Sequence, residues 1–93
     1  MPPSPVKVIL LTRDDCAFCH DAEKVLARLS TSYDLEVVRI DLDTPEGIEL
    51  ATSGGVMFPP GIFIDGEAVS HGRPSERRLR RKLEALRDDA GRS

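Results

Sequence analysis

The hydrophobic period of this chain changes abruptly around residues 12–16, and two cysteines sit at the change. Val6-Lys7-Val8-Ile9-Leu10-Leu11 is a near-continuous apolar run with β-branched residues, the pattern of a strand buried on both faces. Thr12-Arg13-Asp14-Asp15 breaks it. Beyond that break, Cys19, Ala22, Val25, Leu26 and Leu29 recur at helical spacing, with Asp21, Glu23, Lys24 and Arg28 between them. A buried strand feeding an amphipathic helix points to layered α/β architecture. The spacing predicts a helix from about Cys16 that fades at Ser30-Thr31-Ser32.

The remaining segments extend the pattern. Leu35-Glu36-Val37-Val38-Arg39-Ile40 reads as a second strand. Thr44 and Pro45 look like an N-cap followed by proline at the first helical position, and the short helix they open should stop at Gly54-Gly55. Gly61-Ile62-Phe63-Ile64 is a third strand. Asp65-Gly66 is a hairpin signal that returns Ala68-Val69-Ser70 as a fourth. Gly72-Arg73-Pro74-Ser75 forms a turn, with Ser75 capping a last helix striped by Leu79, Leu83 and Leu86. The order β-α-β-α-β-β-α implies one parallel pair and one antiparallel hairpin, hence a mixed four-stranded sheet flanked by helices. Residues 1–5 are expected as a loose tail, residues 6–88 as the single domain, and residues 89–93 as a frayed end.

Charge and composition narrow the function. The 93 residues carry 16 acidic and 13 Lys or Arg side chains, a net charge of −3. That balance argues against general nucleic-acid binding and against an anionic membrane surface. The basic stretch Arg77 to Lys82 is flanked by Glu76 and Glu84 and reads as a solvated helix face. No apolar run approaches a membrane span, and Met1-Pro2-Pro3-Ser4-Pro5 lacks the basic start of a secretory leader. The expected setting is the reducing cytoplasm, where a close cysteine pair points to redox or metal chemistry rather than to a structural staple.

Cys16-Ala17-Phe18-Cys19 stands where that chemistry is favoured. Unpaired N–H groups and the positive end of the helix dipole support a thiolate on Cys16. Cys19, one turn into the helix, can resolve a mixed disulfide formed on Cys16. Asp14 and Asp15 oppose the thiolate and Arg13 supports it, so a moderately acidic thiol is expected. Three other readings compete. The pair can be inert core. It can bind zinc, with only His20 and His71 as further candidate ligands. Cys16 to His20 also spells the C-x-x-C-H haem-attachment pattern, with Met57 as a downstream ligand, although a cytochrome of that kind should be mostly helical.

A second constellation, Phe58-Pro59-Pro60-Gly61, makes a resemblance specific. With Cys16-x-x-Cys19 at a helix start and a proline opening a strand that runs to Gly66, the chain resembles the glutaredoxin-like members of the thioredoxin fold over roughly residues 6 to 88. The resemblance implies a thioredoxin-like fold and a cis proline at Pro60, counted back from Gly66. The cis proline would lie beside the nucleophile, with Phe18 and Gly72 among the substrate contacts. The family pairs the residue before that proline with substrate backbone. Here it is Pro59, which has no N–H to donate. Arg13 matches a basic residue that would hold a carboxylate of glutathione. After the hairpin, only Gly72 of the family's Gly-Gly-acidic pattern is present, with Ser75 as a further donor for a carboxylate.

The expected function is thiol–disulfide oxidoreduction on protein or low-molecular-weight disulfides. Cys16 is the nucleophile and Cys19 the resolving thiol. No metal or organic cofactor is expected. The partners would be the disulfide substrate and a reducing system: glutathione, another small thiol or a flavin reductase. The alternative is a binding module on the same fold, with weak or vestigial redox activity.

Overall fold

The computed structural model describes residues 5–92. The expected loose tail over residues 1–5 lies outside them except for Pro5, as does the expectation for Ser93. The elements run β1 (Val6–Thr12), α1 (Ala17–Leu29), β2 (Leu35–Asp41), α2 (Pro45–Gly54), β3 (Gly61–Ile64), β4 (Glu67–His71) and α3 (Glu76–Arg92). The four strands form one sheet in the order β2-β1-β3-β4. β1 pairs parallel with β2, and antiparallel with β3, which pairs antiparallel with β4. This is the mixed four-stranded α/β arrangement expected from the element order.

Local chemistry accounts for the boundaries. Thr44 accepts the N–H of Gly47 through its hydroxyl at 3.1 Å, which caps α2, and Pro45 follows in the first turn. Gly55 ends α2 in the left-handed conformation, φ 69°. Asp65 and Gly66 have φ of 53° and 84°, the two positive values a tight two-residue hairpin turn needs. Ser75 accepts the N–H of Arg78 through its hydroxyl at 3.3 Å at the start of α3.

The main core lies on one face of the sheet. Val8 and Leu10 of β1 and Ile62 and Ile64 of β3 pack with Ala22, Val25, Leu26 and Leu29 of α1 and with Leu79 and Leu83 of α3. Burying each Val, Leu or Ile of this set contributes roughly 1.5–3 kcal/mol relative to exposure. Tyr33, just after α1, closes this core. Its hydroxyl donates to Glu84 at 2.7 Å, and the Arg87 guanidinium lies 4.4 Å from its ring centroid. Arg28 on α1 also donates twice to Glu76 on α3, at 3.0 and 2.8 Å.

The opposite face is covered more thinly. β1 was expected to be buried on both faces; Leu11 is fully buried there, but Ile9 is only half-buried. The reason is the shortness of α2. A cleft of about 330 Å³ remains between Leu50 and Gly54 of α2 and Ile9, Phe63 and Ala68 of the sheet. At the chain end, α3 continues to Arg92, through most of the segment expected to fray. Each added residue of an established helix contributes a further backbone hydrogen bond, so propagation needs no new nucleus. Among the described residues, no helix is long and apolar enough to cross a membrane.

Candidate redox site

The strand register gathers the candidate residues at one end of the sheet. Thr12 at the end of β1 lies opposite Asp41 at the end of β2. Leu11 pairs with Gly61 at the start of β3, and Gly61 pairs with His71 at the end of β4. Four connections therefore leave the same edge: residues 13–16, 42–44, 56–60 and 72–75. Every residue expected in the site lies in these connections or in the first turn of α1.

Cys16 is the N-cap of α1, with extended φ −114° and ψ 108°. Asp15 turns the chain into that position at φ 59°, a left-handed conformation that aspartate tolerates better than most residues. The Cys16 Sγ accepts the backbone N–H of Cys19 at 3.2 Å. The Cys16 and Cys19 sulfurs are bonded, with Cα atoms 5.2 Å apart. The two differ sharply in access: Cys16 is half-buried, whereas Cys19 is 2% exposed among the core residues of α1. When the bond is open, an N-capping sulfur beside unpaired N–H groups is favoured as thiolate.

Around this pair the expected contacts separate. Pro60 is buried, the Pro59–Pro60 peptide bond is cis, and Pro59 is half-buried. The N–H of Gly72, at φ 74°, donates to the carbonyls of Phe58 at 3.1 Å and Pro60 at 2.9 Å. Gly72 thus holds the loop before β3 against the end of β4. Phe18, between the cysteines, is 45% exposed. Two expected anion contacts have internal partners instead. Arg13 donates to Asp43 at 3.1 Å, and the Ser75 hydroxyl accepts from the helix it caps.

Sequence reasoning named Met57 only as a candidate haem ligand and Phe58 only as part of the proline constellation, and missed their exposure. Directly before the two prolines, they are 76% and 64% exposed. With Phe18 they place three exposed apolar side chains at the end of the sheet that holds Cys16. The available signal was their position in a loop with no periodic apolar partner. Among the described residues, no group of three or more His, Cys, Asp or Glu side chains is placed to hold a metal ion. The haem-attachment reading of Cys16 to His20 conflicts with the mixed sheet, since it called for a mostly helical chain.

Comparisons with known proteins agree with this geometry. A family model described as Glutaredoxin-like domain (DUF836) matches residues 7–84. A probable thioredoxin of Archaeoglobus fulgidus is 27% identical over 82 residues, covering 88% of this chain and 90% of that protein. A mutant thioredoxin from Halobacterium salinarum superposes with a TM-score of 0.63 at 31% identity, covering 88% of this chain and 74% of that one. Mitochondrial thioredoxin 3 of Saccharomyces cerevisiae, in its oxidized form, superposes with a TM-score of 0.65 at 21% identity over 88% of this chain and 79% of that one, a likeness of fold. The strand-to-helix cysteine pair, the proline-led third strand and the family match over most of the chain place it in the glutaredoxin-like family of the thioredoxin fold.

Proposed function

We propose that this protein is a dithiol thiol–disulfide oxidoreductase. The observation that carries the reading is the asymmetry of one cysteine pair: Cys16 caps α1 with partial access, and Cys19 lies one turn away in the core. The Cys16 thiolate attacks a substrate disulfide, that S–S bond breaks, and one substrate thiolate leaves. Cys19, losing its proton, then attacks the Cys16 sulfur. The second substrate thiolate leaves, and Cys16–Cys19 becomes a disulfide. Two electrons pass from the dithiol to the substrate. A small thiol such as glutathione, or a flavin reductase, would restore the dithiol. The proposed setting is a reducing compartment such as the cytoplasm.

The roles of the neighbours follow. Pro60 and Gly72 shape the wall beside Cys16, Pro59 offers a substrate backbone an acceptor but no donor, and Phe18 provides an apolar contact. Arg13 and Ser75 remain candidate contacts for a substrate carboxylate, at the disadvantage of their internal partners.

The test is the reduction potential of the pair, measured by equilibrating the protein in graded dithiothreitol buffers and counting free thiols by mass. A reversible two-electron transition within roughly −180 to −270 mV supports a working redoxin. If no intramolecular disulfide forms under any poise, the dithiol mechanism is wrong.

The exposed Phe18, Met57 and Phe58 favour a second reading, a binding module on the same fold. Partners that bind the wild type, with no covalent capture through Cys16 when Cys19 is replaced by serine, would establish it.

A further inference from the structure

The loop that delivers Cys16 carries one cation, Arg13, and that cation is already taken. Arg13 Nη2 lies 3.1 Å from Asp43 Oδ1, across 30 positions of sequence. Both side chains are solvent-accessible, so the pair is positioned by backbone rather than by burial. Thr12 opposite Asp41 sets the two strand ends side by side. Asp43 is then fixed by the turn beyond β2. Its N–H donates to the Asp41 side chain at 2.8 Å, and the Thr44 hydroxyl donates to the Asp41 carbonyl at 2.7 Å. The other two charges of the loop, Asp14 and Asp15, are exposed carboxylates. With Arg13 paired, the approach to Cys16 along this loop presents negative charge.

We propose that Asp43 is a specificity-determining residue: by holding Arg13 it withholds the one cation of the Cys16 loop from anionic disulfides and biases the site toward neutral and cationic ones. The inference rests on the redox reading above and deepens it by assigning the charge class of the substrate. Asp43 touches neither substrate nor sulfur; it is a positioning residue acting through Arg13. The electron balance is unchanged, because the same Cys16 attack opens whichever disulfide is presented.

The test uses three small symmetric disulfides that differ in charge: dithiodipropionate (anionic), hydroxyethyl disulfide (neutral) and cystamine (cationic). The full chain is pre-reduced, and the rate constant for its oxidation is measured with each. Dividing each variant's rate by the wild-type rate for the same probe cancels the intrinsic reactivity of the probe. Asp43→Asn is expected to raise the ratio for dithiodipropionate over hydroxyethyl disulfide by about threefold to fivefold, the scale of one exposed charge acting over a few ångströms of water. The ratio for cystamine should fall. Asp43→Glu should stay near wild type, and adding Arg13→Gln to Asp43→Asn should abolish the gain. The gain should also shrink at high salt, which a purely structural effect would not do. If Asp43→Asn moves all three probes alike, or if its gain survives Arg13→Gln, the inference is overturned while the redox reading stands. If the wild-type dithiol reacts with none of the probes, the redox reading fails and takes the inference with it.

Discussion

The sulfur of Cys16 accepts the backbone N–H of Cys19 at 3.2 Å, so the proposed nucleophile caps the helix turn that carries the proposed resolving residue. One backbone turn gives the two cysteines unequal access: Cys16 is half-buried at the helix start, and Cys19 is held in the core at 2% exposure. Cys19→Ser should leave a thiol that iodoacetamide alkylates readily. Cys16→Ser should leave a thiol at least about tenfold slower. Alkylation followed by mass spectrometry checks this; equal rates would remove the assignment of nucleophile and resolver.

Pro59, which leads the cis bond to Pro60, is a proposed backbone contact for substrate. A substrate strand lying along this loop finds no N–H at position 59. Pro59→Val supplies one. On a peptide disulfide the expected outcome is a rise in kcat/KM of about two- to tenfold, the worth of one hydrogen bond made on binding. The gain on hydroxyethyl disulfide should be smaller, because that probe has no backbone to pair. Steady-state rates with both substrates decide it, and an equal change on the two would mean Pro59 acts only on loop stiffness.

Gly47 is a position where the fold tolerates no side chain. A Cβ there would stand 2.1 Å from the backbone oxygen of Asp41 and 2.9 Å from Cα of Leu42. Both neighbours are backbone and cannot rotate away. Gly47→Ala should therefore destabilise the protein by about 2–4 kcal/mol. A lower urea midpoint with an unchanged slope is the signature.

Tyr33 provides a pH test, helped by being the chain's single tyrosine. Its hydroxyl donates to the Glu84 carboxylate, which would be left facing a phenolate if the proton departed. That contact, with burial, raises the pKa above the ordinary 10.0, against the opposing influence of Arg80. Ultraviolet titration should give a midpoint above 10.0, and Glu84→Gln should lower it. Because the folded value is the raised one, this contact contributes stability that is fully present below about pH 10. It is lost as pH rises through the folded value. A midpoint that Glu84→Gln leaves in place would refute the attribution.

Much of the architecture was legible because it is local. The switch from the apolar run ending at Leu11 to the helical stripe beginning at Cys19 located β1, α1 and the cysteine pair between them. Thr44 with Pro45, Gly55, Asp65 with Gly66, and Ser75 each act within a few residues of themselves, through a cap or a positive φ. Their effect can be read without knowing the fold. The extension of α3 to Arg92 leaves no mark in the hydrophobic pattern, because helix propagation beyond the last apolar residue needs no further apolar contact.

What the sequence by itself determined was the order of the elements and the place of the cysteine pair at the start of α1. Which groups meet was decided by tertiary structure. Arg13 reads as a free cation until strand pairing carries Asp43 to it from 30 positions away. Tyr33 and Glu84 are separated by 51 positions and meet only because α1 and α3 share one face of the sheet. Met57 and Phe58 are apolar yet exposed, in the connection that leads into the fully buried β3. Caps, turns and periods depend on near neighbours that the chain lists in order. Ion-pair partners and exposed patches depend on which strand ends lie side by side, and that is settled only when the whole sheet closes over its core.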